Sequence, residues 1–344
     1  MRIRALAVTV PVLMLAGCGA ARSAKHDHST RSAPAPTVTR APGSAPPRHV
    51  PPPQALVTAE TENRLLVVNL LSGRVTRSVT LPADPENIAL AGNGGVVVVV
   101  SPRAGKVTVL DRVTLRPIKT FGGFDDPQIA AISPDRRHLY VTDDTRGTVT
   151  AIRLSDLAVT STVSVGAGAH HLAFSRDQHR VWVALGQSAS QVSILDTTNL
   201  DHPHLIGHFS PGFPAHDLSF TPDGRRVWIS SAAGPDVTVF STPNLRPLFR
   251  IPVGTPPQHI AFAGNYAYLT SGYGGTIEKV DVATGRVIIR TSAPYGSFEL
   301  DAADGYVATS SLLRGTLAIY GPKLKLLRSV ALAPVTREVA ISRP

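Results

Sequence analysis

The sequence predicts an all-β fold: a seven-bladed β-propeller whose blades each contain four strands. A repeat supports this prediction, because an apolar triplet with a short central residue recurs seven times from residue 55 onward. The central residues are spaced 42, 42, 46, 42, 40 and 39 positions apart. A repeat of this length, built from several short strands, is typical of propellers. The central residues are Ala89, Ala131, Ala173, Ser219, Ala261, Asp301 and Ala340.

Turn signals and strand-forming runs alternate within each repeat. Ser133-Pro134-Asp135, for example, precedes a β-rich run at residues 139–142, and further runs follow at residues 147–152 and 159–165. Pro, Asp and Gly favour tight turns, whereas β-branched and aromatic residues favour strands. The aspartates that close several third strands are interpreted as turn caps, and the rings on second strands as packing between blades. These residues are Asp111, Asp196 and Asp281, and Tyr140, Trp182, Trp228 and Tyr268.

The two ends of the repeat region are predicted to complete one blade together. Residues 56–81 align without a gap on residues 140–165, two periods later, and so supply strands two to four of a blade. Residues 335–342 supply only a first strand. We therefore expect Val339-Ala340-Ile341 to pair with the strand that contains Leu56-Val57-Thr58, because each would otherwise expose an unpaired edge.

The repeat also resembles a known family. Tyr140-Val141-Thr142-Asp143, following Ser133-Pro134-Asp135, is similar to the repeat of the YVTN family of bacterial and archaeal seven-bladed propellers. The likeness covers residues 55–344 and implies the propeller fold. Similar propellers include surface-layer proteins, periplasmic proteins, and relatives with lyase, lactonase or redox-subunit activities, so the resemblance implies several functions rather than one.

Residues 1–17 are predicted to be an export signal. Arg2 and Arg4 precede an apolar stretch at residues 5–13, which is the layout of a secretory signal. Leu15-Ala16-Gly17-Cys18 resembles the bacterial lipobox, which implies that Cys18 becomes the lipid-bearing first residue of the mature protein. We therefore expect a protein anchored through lipidated Cys18 to the outer face of the cell membrane, or a periplasmic one.

Residues 18–54 are predicted to form a disordered, lipid-anchored tether. Eight prolines and few large apolar residues leave it too little surface to bury on folding. Residues 1–54 hold seven basic residues and one acid, so the net charge of +10 leaves +4 for the propeller at residues 55–344. Near-balanced charge argues against nucleic-acid binding, which depends on phosphate contacts. One cysteine excludes an internal disulfide framework, and we expect a monomer.

The candidate site is a ring at the mouth of the central channel. Equivalent positions in a propeller lie on one circle, and the position two residues before each central residue is polar in six repeats: Asn87, His171, Asp217, His259, Glu299 and Glu338, with Ile129 as the exception. The position before it holds Glu86, Gln128, His170, His216, Gln258, Phe298 and Arg337. We predict that Asn87, His170, His171, His216, Asp217, His259, Glu299 and Glu338 bind a ligand, although a hydrated structural ring fits the same pattern.

Imidazoles and carboxylates in this ring suggest a divalent metal held by His171, Asp217 and His259. Zn, Cu or Fe suits such a donor set better than Mg, and carboxylates with an amide could hold Ca. For a catalytic site, His171 or His259 would be the general base and Glu299 or Glu338 its partner. We expect repulsion between carboxylates to raise at least one pKa. We also expect cation affinity to weaken as the histidines protonate below about pH 6.

Three functions remain open. The absence of a phosphate loop, a G-x-S-x-G motif or a metalloprotease motif favours a binding or scaffold module for a protein, glycan or peptide over an enzyme. An enzyme with its site at the channel mouth, lyase-like, lactonase-like or metal-dependent, is the alternative. Nucleic-acid binding is the third.

Overall fold

The computed structural model describes residues 52–91, 95–186, 189–256 and 259–342. Cys18, the export signal and most of the tether lie outside the described residues, as does Gln258 of the predicted ring. Within these ranges, the strands form seven antiparallel four-stranded sheets, each with its strands in the order innermost to outermost. The predicted seven-bladed propeller is confirmed. Among the described residues, no helix is both long and apolar enough to cross a bilayer.

Each blade contains four consecutive strands, except for the blade that joins the chain ends. Blade 1 contains β4 (Asn87–Leu90), β5 (Val96–Ser101), β6 (Lys106–Asp111) and β7 (Pro117–Phe121). Blade 2 contains β8 (Pro127–Ile132), β9 (His138–Asp143), β10 (Thr148–Arg153) and β11 (Ala158–Ser164). Blade 3 contains β12 (Leu172–Phe174), β13 (Arg180–Ala184), β14 (Val192–Asp196) and β15 (His204–Phe209). Blade 4 contains β16 (Ala215–Phe220), β17 (Arg226–Ser231), β18 (Asp236–Ser241) and β19 (Pro247–Pro252).

Blades 5 and 6 continue this pattern, and blade 7 closes the ring. Blade 5 contains β20 (Ile260–Ala263), β21 (Tyr266–Ser271), β22 (Thr276–Asp281) and β23 (Val287–Ser292). Blade 6 contains β24 (Ser297–Ala303), β25 (Tyr306–Ser311), β26 (Thr316–Tyr320) and β27 (Leu326–Ala331). Blade 7 contains β28 (Thr336–Ser342), β1 (Gln54–Ala59), β2 (Arg64–Asn69) and β3 (Val75–Thr80). A short 3-10 helix, Pro102–Ala104, follows β5.

The closing pair forms in the predicted register. Leu56 pairs with Ala340 and Val57 with Val339, so the last strand of the chain becomes the innermost strand of the blade begun by the first. This pairing gives β1 an inner neighbour and completes the seventh four-stranded sheet.

Apolar packing between neighbouring blades forms the core. Seven buried clusters lie at the seven blade interfaces. Tyr140, Trp182, Trp228 and Tyr268 are buried in four of them, as predicted, because large rings fill the space between twisted sheets. Asp111, Asp196 and Asp281 accept backbone N–H bonds from the turns that follow them, which confirms their interpretation as turn caps.

Candidate functional site

A cavity of about 280 Å³ opens at one end of the central channel, which we call the mouth. All seven blades contribute to its lining, and seven of the eight predicted ligand-binding residues are among the lining residues. Asp217 is the exception, and it lies directly behind His171, with its Oδ1 3.6 Å from His171 Nδ1. The lining residues are Glu86, Asn87, Gln128, Ile129, His170, His171, His216, Ala232, Pro256, His259, Tyr273, Phe298, Glu299, Leu312, Arg337 and Glu338.

β-Bulges explain why two consecutive residues lie at or directly behind the same cavity in four of the seven innermost strands. Successive side chains of a regular strand point to opposite faces. The register of four innermost strands shifts at the two ring positions, however: at residues 128–129, 216–217, 298–299 and 337–338. A bulge inserts an extra residue and re-aims the side chains beside it. Each bulged strand therefore directs two consecutive side chains toward the mouth, where a regular strand would direct one.

Hydroxyl groups on the second strands hold these bulges. Thr142 Oγ1 accepts the backbone N–H of Ile129 in its own blade and donates to the backbone carbonyl of His170 in the next blade. Thr58 makes the equivalent pair of bonds, to Glu338 and Glu86. In further blades Ser230 accepts the N–H of Asp217, and Thr270 and Ser310 donate to the carbonyls of Phe298 and Arg337. Thr142, Thr58, Thr270 and Ser310 thus each link one blade to the ring segment of the next, whereas Ser230 bonds to Asp217 within its own blade.

Two ring side chains also act between blades. Asn87 Oδ1 accepts the backbone N–H of Ala130, and Asp217 Oδ2 accepts that of Ile260, each at 3.0 Å and each in the following blade. Asn87 Nδ2 in addition donates to Glu338 Oε2 at 3.3 Å. These residues therefore have a structural role as well as a place beside the cavity.

Four histidines form the densest part of the site. The rings of His170, His171, His216 and His259 lie 4.8–5.9 Å apart, centre to centre, in the five pairs that are in contact. His216 Nε2 lies 3.1 Å from His259 Nε2, and His259 Nδ1 lies 3.1 Å from Glu299 Oε2. Two imidazole nitrogens at this distance must share one proton or one metal ion, because two lone pairs repel.

Burial keeps His171, His216 and His259 neutral. It lowers the pKa of His216 to about 3, helped by the nearby charges of His170 and Arg337. Burial also holds the pKa of His171 and of His259 well below the usual value, with His216 the next cause for each. Neutral imidazoles are metal ligands, whereas imidazolium groups are not. The prediction that histidine protonation below about pH 6 would release a cation is therefore wrong, since these rings stay neutral at that pH.

The pKa values of the buried carboxyl groups are raised, whereas those of the buried histidines are lowered. Burial raises the pKa of Asp217 to about 7, and burial with the charge of Asp217 raises the pKa of Glu299 to about 8. The pKa of Glu338 is raised well above its usual value by burial and by Glu299. The prediction that at least one carboxyl pKa would rise is confirmed, although burial outweighs the repulsion that was expected to cause it.

Arg337 is the cation that faces these acids. Its Nη2 lies 3.2 Å from Glu86 Oε2. Burial disfavours the charged guanidinium, but the carboxyl groups of Glu86, Glu299, Glu60 and Glu338 outweigh that effect and raise its pKa. Burial still raises the pKa of Glu86 to about 7, although Arg337 acts against it. One guanidinium thus faces several carboxyl groups. Their ionised forms would be stabilised by a further cation at the mouth.

Ligand atoms in suitable positions for a metal lie within this cluster. One atom from each of His171, Asp217 and His259 lies within 4.8 Å of the others, and all three residues are buried. His170, His171 and His216 meet the same distance limit, as do Glu60, Asp84 and Glu86 nearer the solvent. The first of these sets is the one that the sequence predicted, and neutral imidazoles with a carboxylate fit a transition-metal ion.

Comparison with known proteins identifies the family. A sequence model described as "Lactonase, 7-bladed beta-propeller" matches residues 102–293, more than half of the chain. The chain belongs to this lactonase propeller family. Comparison with curated proteins gave no match.

Solved structures share the fold of this lactonase-family chain at low sequence identity. Kuenenia stuttgartiensis hydrazine synthase is 14% identical with a TM-score of 0.69, covering 83% of this chain and 100% of its own. A functionally unknown protein from Desulfotomaculum acetoxidans DSM 771 is 16% identical with a TM-score of 0.73, covering 85% and 99%. Dihydro-heme d1 dehydrogenase NirN, solved in complex with DHE, is 15% identical with a TM-score of 0.63, covering 86% and 77%.

Sequence reasoning missed the apolar wall of this family member's cavity. Tyr273, which lies in a glycine-rich turn between two strands, lines the cavity and packs edge-on against Phe298, with ring centres 4.9 Å apart. Gly272 makes this contact possible, because a Cβ there would overlap the Phe298 ring. Leu312 and Pro256 extend the wall. An aromatic residue between three glycines was the available signal.

Removing one hydroxyl that holds a bulge should destabilise the protein. We expect Thr142→Val to lower the free energy of unfolding by about 2 kcal/mol, because the buried N–H of Ile129 and the carbonyl of His170 lose their partner. Thr150→Val is the matched control: its hydroxyl bonds only to that of Thr162, and its loss should cost less than about 1 kcal/mol. Urea unfolding measures both, and equal costs would contradict the role given to Thr142.

Proposed function

We propose that this propeller binds a small ligand at its mouth through a divalent transition-metal ion held by His171, Asp217 and His259. The observation that carries this proposal is the convergence of one ligand atom from each residue within 4.8 Å, directly behind a cavity of about 280 Å³. His216, whose Nε2 faces that of His259, is the fourth candidate ligand. The elevated carboxyl pKa values support it too, since a bound cation would relieve the cost of burying these acids.

The donor set suits Zn or Cu better than Mg, because imidazole is a borderline ligand and one carboxylate adds a single negative charge. Such an ion supplies Lewis acidity, which polarises a carbonyl or phosphoryl oxygen of a ligand. Arg337 and Glu86, from blades 7 and 1, line the cavity together with Tyr273 and Phe298, from blades 5 and 6. The cavity therefore fits a small molecule, or one residue of a peptide or glycan, with a polar part and an apolar part.

Metal titration tests the site. We expect calorimetry to show that Zn²⁺ or Cu²⁺ binds more tightly than Ca²⁺, at one ion per chain. Affinity should fall about fivefold between pH 7 and pH 6, because Asp217, whose pKa is about 7, must lose its proton to bind the ion. A His171→Ala, His259→Ala double variant should lose the binding.

The matched control for this titration is a His179→Ala, His202→Ala double variant, because both histidines are exposed and lie away from the mouth. It should bind the ion as the parent does. Identical heats for the mouth variant and the parent would refute the metal site.

Lactone hydrolysis is the second candidate function, and the family match favours it. A lactone is a cyclic ester, and its hydrolysis needs an activated water and stabilisation of the developing oxyanion. The His259–Glu299 pair offers a neutral imidazole oriented by a carboxyl group. Arg337 is a cation at the same cavity.

Turnover of a panel of γ- and δ-lactones tests this candidate. We expect hydrolysis that falls by about a hundredfold or more in His259→Ala, the loss typical of a general base. Thr150→Val should retain the parent rate, because Thr150 lies away from the cavity. A panel on which the parent protein is inactive, with metal supplied, would refute lactonase activity and leave the metal-binding proposal standing.

We further propose that the protein is an extracytoplasmic lipoprotein of the YVTN type, anchored through Cys18. The lipobox-like Leu15-Ala16-Gly17-Cys18 supports this, since multiple acyl chains on one residue anchor stably. Cys18→Ser should prevent metabolic labelling by palmitate in a bacterial host, because it removes the acceptor thiol. Labelling that persists in this variant would refute the anchor.

A further inference from the structure

The two ends of the propeller expose different chemistry. The turn between β21 and β22 contains Tyr273, which lines the mouth. In an antiparallel blade the next turn, between third and fourth strands, must then lie at the opposite end, which we call the far end. Acids surround the mouth: Glu60, Asp84, Glu86, Asp126 and Asp144. The far end is different in both charge and polarity.

Cations recur at the far end. In five of the seven blades an exposed Lys or Arg directly precedes the outermost strand. The aspartates of the same turns are half-buried and accept backbone N–H bonds, as Asp111 and Asp281 do. The outermost charges of these turns are therefore positive. The five cations are Arg74, Arg116, Arg246, Arg286 and Lys325.

Exposed apolar side chains accompany the cations. Val113 is 79% exposed and Leu71 54% exposed at the tips of far-end turns. Each blade also exposes at least one large apolar residue in the first three positions of its outermost strand. Equivalent positions lie on one circle, so these side chains form a ring rather than one patch. The ring consists of Val75, Ile118, Val159, Leu205, Ile206, Leu248, Ile288, Leu326 and Leu327.

The chain enters the propeller at this same end. Gln54, the first residue of β1, pairs with Ser342, the last residue of β28. The carbonyl of Pro53 accepts the N–H of Leu70, next to Leu71. Pro53 and Gln54, at the start of the described residues, therefore lie beside the exposed turns of the far end and not beside the mouth.

We propose that the far end docks on an anionic lipid bilayer, with the cations at the headgroups and the apolar ring in the interface, so that the mouth faces away from the membrane. Basic and apolar side chains together are the composition of interfacial membrane-binding surfaces. A circle of equivalent side chains is also complementary to a flat surface. The acids around the mouth offset the cations of that end, such as Arg64 and Arg103, whereas the outermost charges of the five far-end turns are positive, so anionic lipid favours the far end.

Nucleic acid fits this end less well. A phosphate backbone would use the cations, but it offers nothing for nine exposed apolar side chains to contact. A bilayer accounts for both. The proposal does not depend on the metal site, because the mouth and the far end share no residue.

Vesicle co-sedimentation of the full chain tests the proposal. Cys18→Ser provides a background without an acylation site and without any other cysteine. We expect binding to phosphatidylcholine vesicles containing about a third phosphatidylglycerol, and little binding to pure phosphatidylcholine. Arg74, Arg116, Arg246 and Arg286 changed to Gln together should lower the partition coefficient at least about tenfold, because each surface cation adds a several-fold attraction.

A mouth-end variant is the matched control. Arg64, Arg103, Lys106 and Arg314 are exposed at the mouth end, and their change to Gln removes the same charge. Binding of this variant should stay within about twofold of the parent. Equal losses in the two variants, or no loss in the far-end variant, would overturn the proposal. So would far-end binding to duplex DNA without binding to vesicles.

A polarity-sensitive fluorophore tests the orientation directly. In the Cys18→Ser background, Val113→Cys and Leu313→Cys place single labels at the far end and at the mouth end, both exposed. We expect anionic vesicles to shift the emission of the label at position 113 to shorter wavelength and to leave that at position 313 unchanged. A shift at position 313 alone would overturn the orientation.

Discussion

The bulges at the ring positions of four innermost strands, which hydroxyl groups of neighbouring strands hold, are the constraint on which the site depends. Without them, alternate side chains of these strands would leave the channel and would face the blade interfaces. Thr142 and Thr58 each satisfy the extra N–H of one bulge and link it to the next blade. The same bonds also join neighbouring blades. The hydrogen bonds that shape the mouth therefore also help to close the ring of blades.

The electrostatics of the mouth follow from the close packing of its ring side chains. Crowding imidazoles and carboxyl groups in a buried space moves the pKa values of His216 and Glu299 in opposite directions, to about 3 and about 8. Both groups are thus largely uncharged at neutral pH, and Arg337 is the main fixed charge beside them. A divalent ion would change the charge of the carboxyl groups, because it favours their ionised form. It would bind the imidazoles in the neutral form that they already have. The lactonase-family match agrees with a seven-bladed propeller as the scaffold of this ring.

The sequence predicted the fold well because a propeller repeats one pattern of strands and turns, and seven copies make the period unambiguous. It also predicted that His171 and His259 would converge, since equivalent positions share a circle. It could not predict the bulges, which depend on the register between paired strands and on side-chain hydroxyl bonds within and between blades. For the same reason it missed the bond from Asp217 to Ile260 and the wall formed by Tyr273, whose ring direction is set by packing on Phe298.

The central claim is that the crowded ring is a metal centre. Anomalous diffraction from crystals grown with Zn²⁺ tests it most directly, because it locates the ion without relying on activity. Zinc bonds to imidazole nitrogen and carboxylate oxygen are about 2.0–2.2 Å long. The account predicts one anomalous peak at bonding distance from His171 and His259, with Asp217 or His216 completing the set. A peak confined to exposed histidines such as His179, with none at the mouth, would contradict it.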